Sequence, residues 1–267
     1  MKVSIALVFA TALACSATGC SSTATTVPMP TSAPAICTSF VLTGHPSYPP
    51  VAWKSAGTLT GGGIDVVARL ANANGIKMRV LAQDTWEDAQ LAVRGGHADA
   101  IVGIYKTKER QAYFHYLSPP LAPDPSAVVI RSGESFTYKD WDSLIGKRGV
   151  LGAGESYGSA FDEFLAAKLT TYRVATLADV FSEVLASKAD YGLSGYYAAV
   201  TSSPPGIVFA SKNFVTEGLY LAFGKQSRCG FALASAFSAG IAQMRADGTI
   251  DRIFARELKR YERTHPR

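Results

Sequence analysis

Four short stretches carry the side chains best suited to gripping a small molecule. Residues 44–50 read Gly-His-Pro-Ser-Tyr-Pro-Pro, so Tyr48 is flanked by prolines. Proline fixes φ, and a loop so built presents its tyrosine in few conformations. Trp86 follows Gln83-Asp84-Thr85 at the expected start of a helix. Tyr48 and Trp86 together could sandwich an apolar or planar group through their ring faces and edges. Arg110 ends the run Thr107-Lys-Glu-Arg. Its planar guanidinium can hold a carboxylate by two parallel N–H···O bonds; a local cap or ion pair is the other reading. Residues 152–158 read Gly-Ala-Gly-Glu-Ser-Tyr-Gly. Backbone N–H groups there, at a strand-to-helix joint, could cradle an anion. The spacing is GxGxxxG, not the GxGxxG of a dinucleotide site.

Other chemistry finds no support. The sequence has no HExxH, CxxC, P-loop or GxSxG pattern, and its four histidines, at 45, 97, 115 and 265, are scattered. The expectation is no metal, no cofactor and no catalytic residue.

The elements around these stretches alternate between strand and helix patterns. Residues 39–43 form a short apolar strand. Residues 63–74 place Ile64, Val67, Leu70 and Ala71 at helical spacing. Residues 76–80 alternate, as a strand with one wet face does, and residues 100–104 are apolar throughout, as a strand buried on both faces is. Strands are also expected at 128–131, 149–151, 191–194 and 219–223, and helices at 85–94, from 107, and at 156–168, 176–188, 231–245 and 249–260. Such alternation predicts an α/β fold with mostly parallel sheets.

One αβ unit is repeated. Thr85-x-x-Asp88, Val93 and Ala98-Asp99 recur in step as Thr176-x-x-Asp179, Val184 and Ala189-Asp190, each followed by an apolar strand. Thr-x-x-Asp is a helix-capping arrangement. The repeat predicts two similar lobes. The Pro-rich run 121–125 and the polar run 211–218 are the expected crossings between them, making a two-segment hinge beside a cleft.

Hydrophobic residues make up 48% of the 267 and charged residues 18%, which is enough to build a sizeable core. The formal charge of +5 comes from scattered basic residues rather than a stripe, so nucleic acid is not an expected partner. Met1-Lys2 followed by an apolar stretch to Ala14 suits a secretory signal, being too short to span a bilayer. Ala17-Thr-Gly-Cys20 is similar to a lipoprotein processing site, with Cys15 as a second candidate and an unlipidated signal peptide as the alternative. Residues 21–36 carry no charge and suit a tether. That leaves Cys37 and Cys229, an even pair that suggests a disulfide in an exported protein, against the alternative of two buried thiols.

The order and spacing of Ser47-Tyr-Pro-Pro50, Trp86, Ala98-Asp-Ala-Ile-Val102, Thr107-x-x-Arg110 and Ala246-Asp-Gly-Thr-Ile-Asp-Arg-Ile253 resemble one family over residues 38–260. It is that of the periplasmic solute-binding proteins of polar amino-acid ABC transporters, bacterial extracellular solute-binding protein family 3. The resemblance implies two Rossmann-like lobes of periplasmic-binding-protein type II. Residues 37–122 and 219–267 would form lobe 1, and residues 123–218 lobe 2. It implies a ligand site of Tyr48, Trp86, Tyr105, Arg110, Gly154, Glu155, Ser156, Tyr157 and Tyr196, with Arg110 on a ligand carboxylate. It also implies an exported monomer, held near a membrane by lipidated Cys20 and serving an ABC permease by closing its hinge on one small molecule. His45 and Gly195 depart from the family, which has acids there. Without an acid at Gly195, a ligand ammonium lacks its usual partner unless Glu155 substitutes. The alternatives are a dehydratase-like enzyme on this fold, which residues 194–198 do not favour because they lack a carboxylate, and a ligand-presenting sensor lipoprotein.

Overall fold

Amphipathic helices and apolar strands set the architecture of residues 37–266, which the computed structural model describes. The expected signal peptide (1–20), tether (21–36) and lipidation at Cys20 lie outside the described residues.

The first lobe opens with β1 (Ser39–Gly44) and a small antiparallel meander of β2 (Ser47–Tyr48), β3 (Ala52–Ser55) and β4 (Thr58–Thr60). Helix α1 (Gly62–Ala73) buries Ile64, Val66, Val67, Leu70 and Ala71 along one face. Strand β5 (Lys77–Val80) and, after α2 (Trp86–Arg94), β6 (Ala100–Ile104) pair with β1 on either side, all parallel. A short 3-10 turn at Arg110–Ala112 leads to β7 (Phe114–Tyr116), and β8 (Ala122–Arg131) crosses to the second lobe. There a 3-10 turn at Trp141–Leu144 precedes β9 (Arg148–Gly152), α3 (Ser159–Lys168), β10 (Thr170–Val174), α4 (Leu177–Leu185), β11 (Tyr191–Gly195) and α5 (Tyr196–Ser202). Strand β12 (Ile207–Gly224) returns to the first lobe, where α6 (Arg228–Ala246) and α7 (Thr249–Thr264) complete the chain.

The strand order is β10-β9-β11-β8-β12-β6-β1-β5, with β7 beside β12. Each lobe has three parallel strands, edged by the antiparallel crossing strands and covered on both faces. In the first, Phe40, Leu42, Leu70, Phe223 and Phe237 pack on one side and Trp86, Val93, Ile101 and Phe114 on the other. In the second, Leu151, Phe161, Tyr191 and Phe214 oppose Val150, Val180, Phe181 and Val184. Strands buried on both faces need no polar alternation, which is why residues 100–104 read as a plain apolar run.

The return crossing differs from its expected form. The polar residues 211–218 do not loop between two strands; β12 runs unbroken for 18 residues. Its partner explains this. β8 pairs antiparallel with it from Arg131↔Ile207 to Ala122↔Leu219, interrupted between Phe209 and Val215, so polar side chains ride on a strand held at both ends of the crossing. Register shifts near Ser211 mark bulges, where a strand bends and twists more sharply. Pro123 and Pro125 are tolerated in β8 because β11 joins its other edge only from Ser126 onward.

Two helix starts also move. Helix α3 begins at Ser159 rather than 156, because Asp162 draws the Ser156 hydroxyl and the Tyr157 N–H (2.9 Å) into a turn before it. The helix expected from 107 is only the Arg110–Ala112 turn, with the Thr107 hydroxyl accepting from the Arg110 N–H at 3.1 Å. Cys37 and Cys229 form a disulfide with a Cα–Cα distance of 5.1 Å, joining the approach to β1 with α6. For the 192-residue separation it closes, the chain-entropy model gives roughly 5 kcal/mol.

Candidate functional site

At the C-terminal ends of the parallel strands, where open α/β sheets bind ligands, the two lobes meet around a small cavity. His45, Tyr48, Trp86, Gly103, Tyr105, Arg110 and Leu219 line it from the first lobe and its return strand; Glu155, Ser156, Tyr157 and Gly195 line it from the second. Its volume is about 20 Å³, room for about one water molecule. A wider cavity of about 370 Å³ adjoins it at the cleft mouth, sharing Arg110, Glu155 and Ser156 and adding Arg94, Arg173, Glu87 and Asp162.

The small volume follows from bonds across the cleft. His45 and Glu155 meet at 3.1 Å. The Ser47 N–H donates to His45 Nδ1 at 2.9 Å, so the ring proton belongs on Nε2 and points at Glu155. His45 also stacks on Trp86, with ring centroids 5.1 Å apart. The Gly154 carbonyl accepts from Arg110 at 2.8 Å and from Gln90 at 3.1 Å. The Lys108 N–H donates to the Ser159 hydroxyl at 3.0 Å, and its ammonium pairs with Glu163. Gly154, at φ +72°, lies so close to α2 that a Cβ would stand 2.7 Å from the Gln90 amide. A side chain there would hold the cleft open.

Arg110 is a buried cation on the cavity wall. Its residue is 7% exposed, yet among the described residues it forms no ion pair. Its guanidinium donates only to the Tyr105 and Gly154 carbonyls, at 3.3 and 2.8 Å. Burial pushes its pKa down, while Tyr116, Glu155, Asp162 and Glu109 push the other way. A buried cation satisfied by carbonyls alone is primed to exchange one of them for an anion, since charge-assisted bonds are the stronger kind.

The second-lobe turn is arranged differently from an empty anion cradle. The Asp162 carboxylate already accepts from the Tyr157 N–H and the Ser156 hydroxyl, and the Ser156 oxygen accepts from the Gly158 N–H at 3.3 Å. The turn therefore offers the cavity a carbonyl and a positioned hydroxyl oxygen. Tyr157 is buried against Phe161 and Phe214 and still reaches the lining.

Of the residues expected in the site, Tyr48, Trp86, Tyr105, Arg110, Glu155, Ser156 and Tyr157 share the cavity wall. Gly154 contributes its carbonyl from the cleft mouth. Tyr196 does not line the cavity; it opens α5 and packs against Tyr197 and Phe209. Three further participants carry little signal in the sequence. His45 stands out there only as a departure from a pattern, and its cross-cleft partner becomes visible only in three dimensions. Gly195 has no side chain to advertise, yet a Cβ on it would collide with the Tyr48 hydroxyl. Asp124, in the crossing strand, is fully buried and accepts from the hydroxyls of Tyr48 and Tyr105, the latter at 2.6 Å. Burial raises its pKa to about 7, against the lowering effect of the two tyrosines. An acid between two prolines in a crossing strand was the available signal.

Comparison with solved structures places the fold. A mutant of ArgBP from T. maritima superimposes with a TM-score of 0.70 at 18% identity, covering 83% of this chain and 96% of that one. AbpA of Streptococcus pneumoniae bound to L-arginine gives 0.69 at 17%, covering 84% and 96%. An ancestral arginine-binding protein bound to glutamine gives 0.69 at 20%, covering 84% and 99%. At such identities the likeness is one of fold. No curated protein matches by sequence. Residues 41–259 match the family described as bacterial extracellular solute-binding proteins, family 3, and over that span the chain belongs to it.

Proposed function

We propose that the protein captures a small carboxylate-bearing ligand, an amino acid or a related organic acid, and hands it to an ABC importer. The observation carrying this reading is Arg110, a buried guanidinium without an acidic partner among the described residues, on the wall of the cleft cavity. Leaving a buried charge unpaired costs several kcal/mol, so a ligand anion that replaces the Gly154 carbonyl gains strongly from the exchange. Trp86, 5% exposed and with its ring 5.8 Å from the Arg110 guanidinium, supplies an apolar wall beside that anion. Arginine and glutamine are the ligands named for two of the similar structures, which supports a ligand of amino-acid size.

The lobes are taken as residues 37–122 with 219–267, and residues 123–218. Paired strands β8 and β12 form the hinge between them. Entry requires the cross-cleft bonds to open, and closure over the ligand makes new ones; the ligand thereby shifts the population toward a closed form that a permease would recognise. The protein acts as a binder rather than a catalyst, as an exported monomer held near the membrane through lipidated Cys20.

Titration calorimetry against a panel of amino and organic acids tests this. Arg110→Ala should weaken the tightest carboxylate ligand more than 100-fold with little change in thermal stability. A panel in which only cationic ligands bind, with Arg110→Ala harmless, overturns the reading. Trp86 fluorescence should change on saturation with a proven ligand.

A further inference from the structure

The cavity has a second polar end, away from Arg110. Tyr48 and Tyr105 line it, and both hydroxyls donate to one oxygen, Oδ2 of Asp124. A phenol has a single O–H. Once both protons are spent on Asp124, the two tyrosine oxygens have only lone pairs left for a ligand. Behind them stands a fully buried carboxyl whose other oxygen, Oδ1, has no hydrogen-bond partner among the described residues. The Ser126 hydroxyl, 3.5 Å from the Tyr105 oxygen, is the next polar group. Acceptors backed by a carboxyl are the complement of a cation.

The lining explains why the carboxyl sits there. Gly195 brings no side chain, and the Tyr48 hydroxyl occupies the space its Cβ would need. No acid can project from residue 195, and Glu155 is engaged by His45. Tyr105 spans the two ends: its carbonyl accepts from Arg110, and its hydroxyl donates to Asp124. The anion-seeking and cation-seeking ends are therefore joined by a single residue, Tyr105.

We propose that Tyr48 and Tyr105, backed by Asp124, form the cation-recognising end of this cavity, so that the ligand is an α-amino acid or similar zwitterion held between them and Arg110. The inference rests on the carboxylate reading above and deepens it. Asp124 is a positioning residue: it turns both hydroxyls away from the ligand and lends them negative charge. Ligand binding has a protonic signature as well. With its pKa raised to about 7 by burial, Asp124 holds part of a proton near neutrality, and a neighbouring ammonium drives that proton off. The titratable groups facing it are Tyr48, Tyr105, Tyr197 and Glu155.

The test pairs each amino acid with its des-amino acid at pH 7. Suitable pairs are L-phenylalanine with 3-phenylpropionate, L-leucine with 4-methylpentanoate, and L-arginine with 5-guanidinopentanoate. Calorimetry should show the amino member at least 100-fold tighter in the best pair, with proton release seen as a dependence of binding heat on the buffer's ionisation heat. Asp124→Asn should collapse that ratio below 10-fold and abolish the proton release. Should Asp124→Asn fail to fold, Tyr105→Phe, which removes one acceptor, should cut the same ratio. Equal affinity for both members in the unmodified protein overturns this inference and leaves the carboxylate reading standing, as does a variant that weakens both members alike. Binding of neither member by any pair overturns both.

Discussion

The two αβ units that start at Thr85 and Thr176 share their scaffolding bonds and differ beyond the last strand of each. Each threonine caps its helix by accepting from the backbone of the aspartate three residues on, Asp88 at 3.0 Å and Asp179 at 3.2 Å. Each helix ends in the same pattern of turn bonds, through a residue in the left-handed region, Gly96 in one unit and Ser187 in the other. Each Ala-Asp pair then clamps a neighbouring strand. The Asp99 N–H donates to the Val41 carbonyl and its side chain accepts from the Val41 N–H; Asp190 does the same with Arg148. Beyond the strands the units part. After β6 the chain runs through a loop and a turn, aiming Tyr105 at the hinge and bringing Arg110 to the cavity wall; after β11 it coils at once into α5, taking Tyr196 out of the lining. The shared bonds build the scaffold, and the binding residues sit where the repeat breaks.

Gly195→Ala strikes that break most directly. Its methyl group displaces the Tyr48 hydroxyl from Asp124, and overpacking of this kind costs about 3 kcal/mol; chemical denaturation with an unaltered midpoint would show that the site tolerates a side chain and that the two strand ends are equivalent. Removing the clamps sharpens the comparison. Asp99→Ala should cost about 2 kcal/mol and Asp190→Ala about 1 kcal/mol, because Asp99 also accepts the Ser227 hydroxyl at 2.8 Å. Equal losses would mean that the extra bond contributes nothing. The smallest effect is expected at the turn: Gly96→Ser should cost about 1 kcal/mol, as a non-glycine residue pays in the left-handed region. Since Ser187 already occupies that conformation in the other unit, a much larger loss would show that the two turns are not interchangeable.

Much of this was legible from residue types. The Thr caps, the αβ order, the repeat and the Cys37–Cys229 pair follow from local grammar and counting, because caps and periodicity act over a few residues. Tyr48, Trp86 and Arg110 could be singled out because they fall near the expected C-terminal ends of strands, where open α/β sheets bind ligands. The continuous β12 was not legible, because its polar residues 211–218 owe their strand to pairing with β8 rather than to their own pattern. Asp124 read as part of a Pro-rich crossing, and only burial beneath two tyrosines makes it a site residue.

Short-range patterns repeated along the chain were enough to predict the two-lobed α/β scaffold, and the order and spacing of motifs over residues 38–260 carried the resemblance to the family. Which polar groups face one another across the cleft was settled only by tertiary structure. His45 with Glu155, Arg110 with the Gly154 carbonyl, and Tyr48 with Asp124 are pairs distant in the chain. Their meeting depends on how the hinge strands fold the lobes together, and hydrogen bonds that need angstrom-scale registry leave no trace in local spacing.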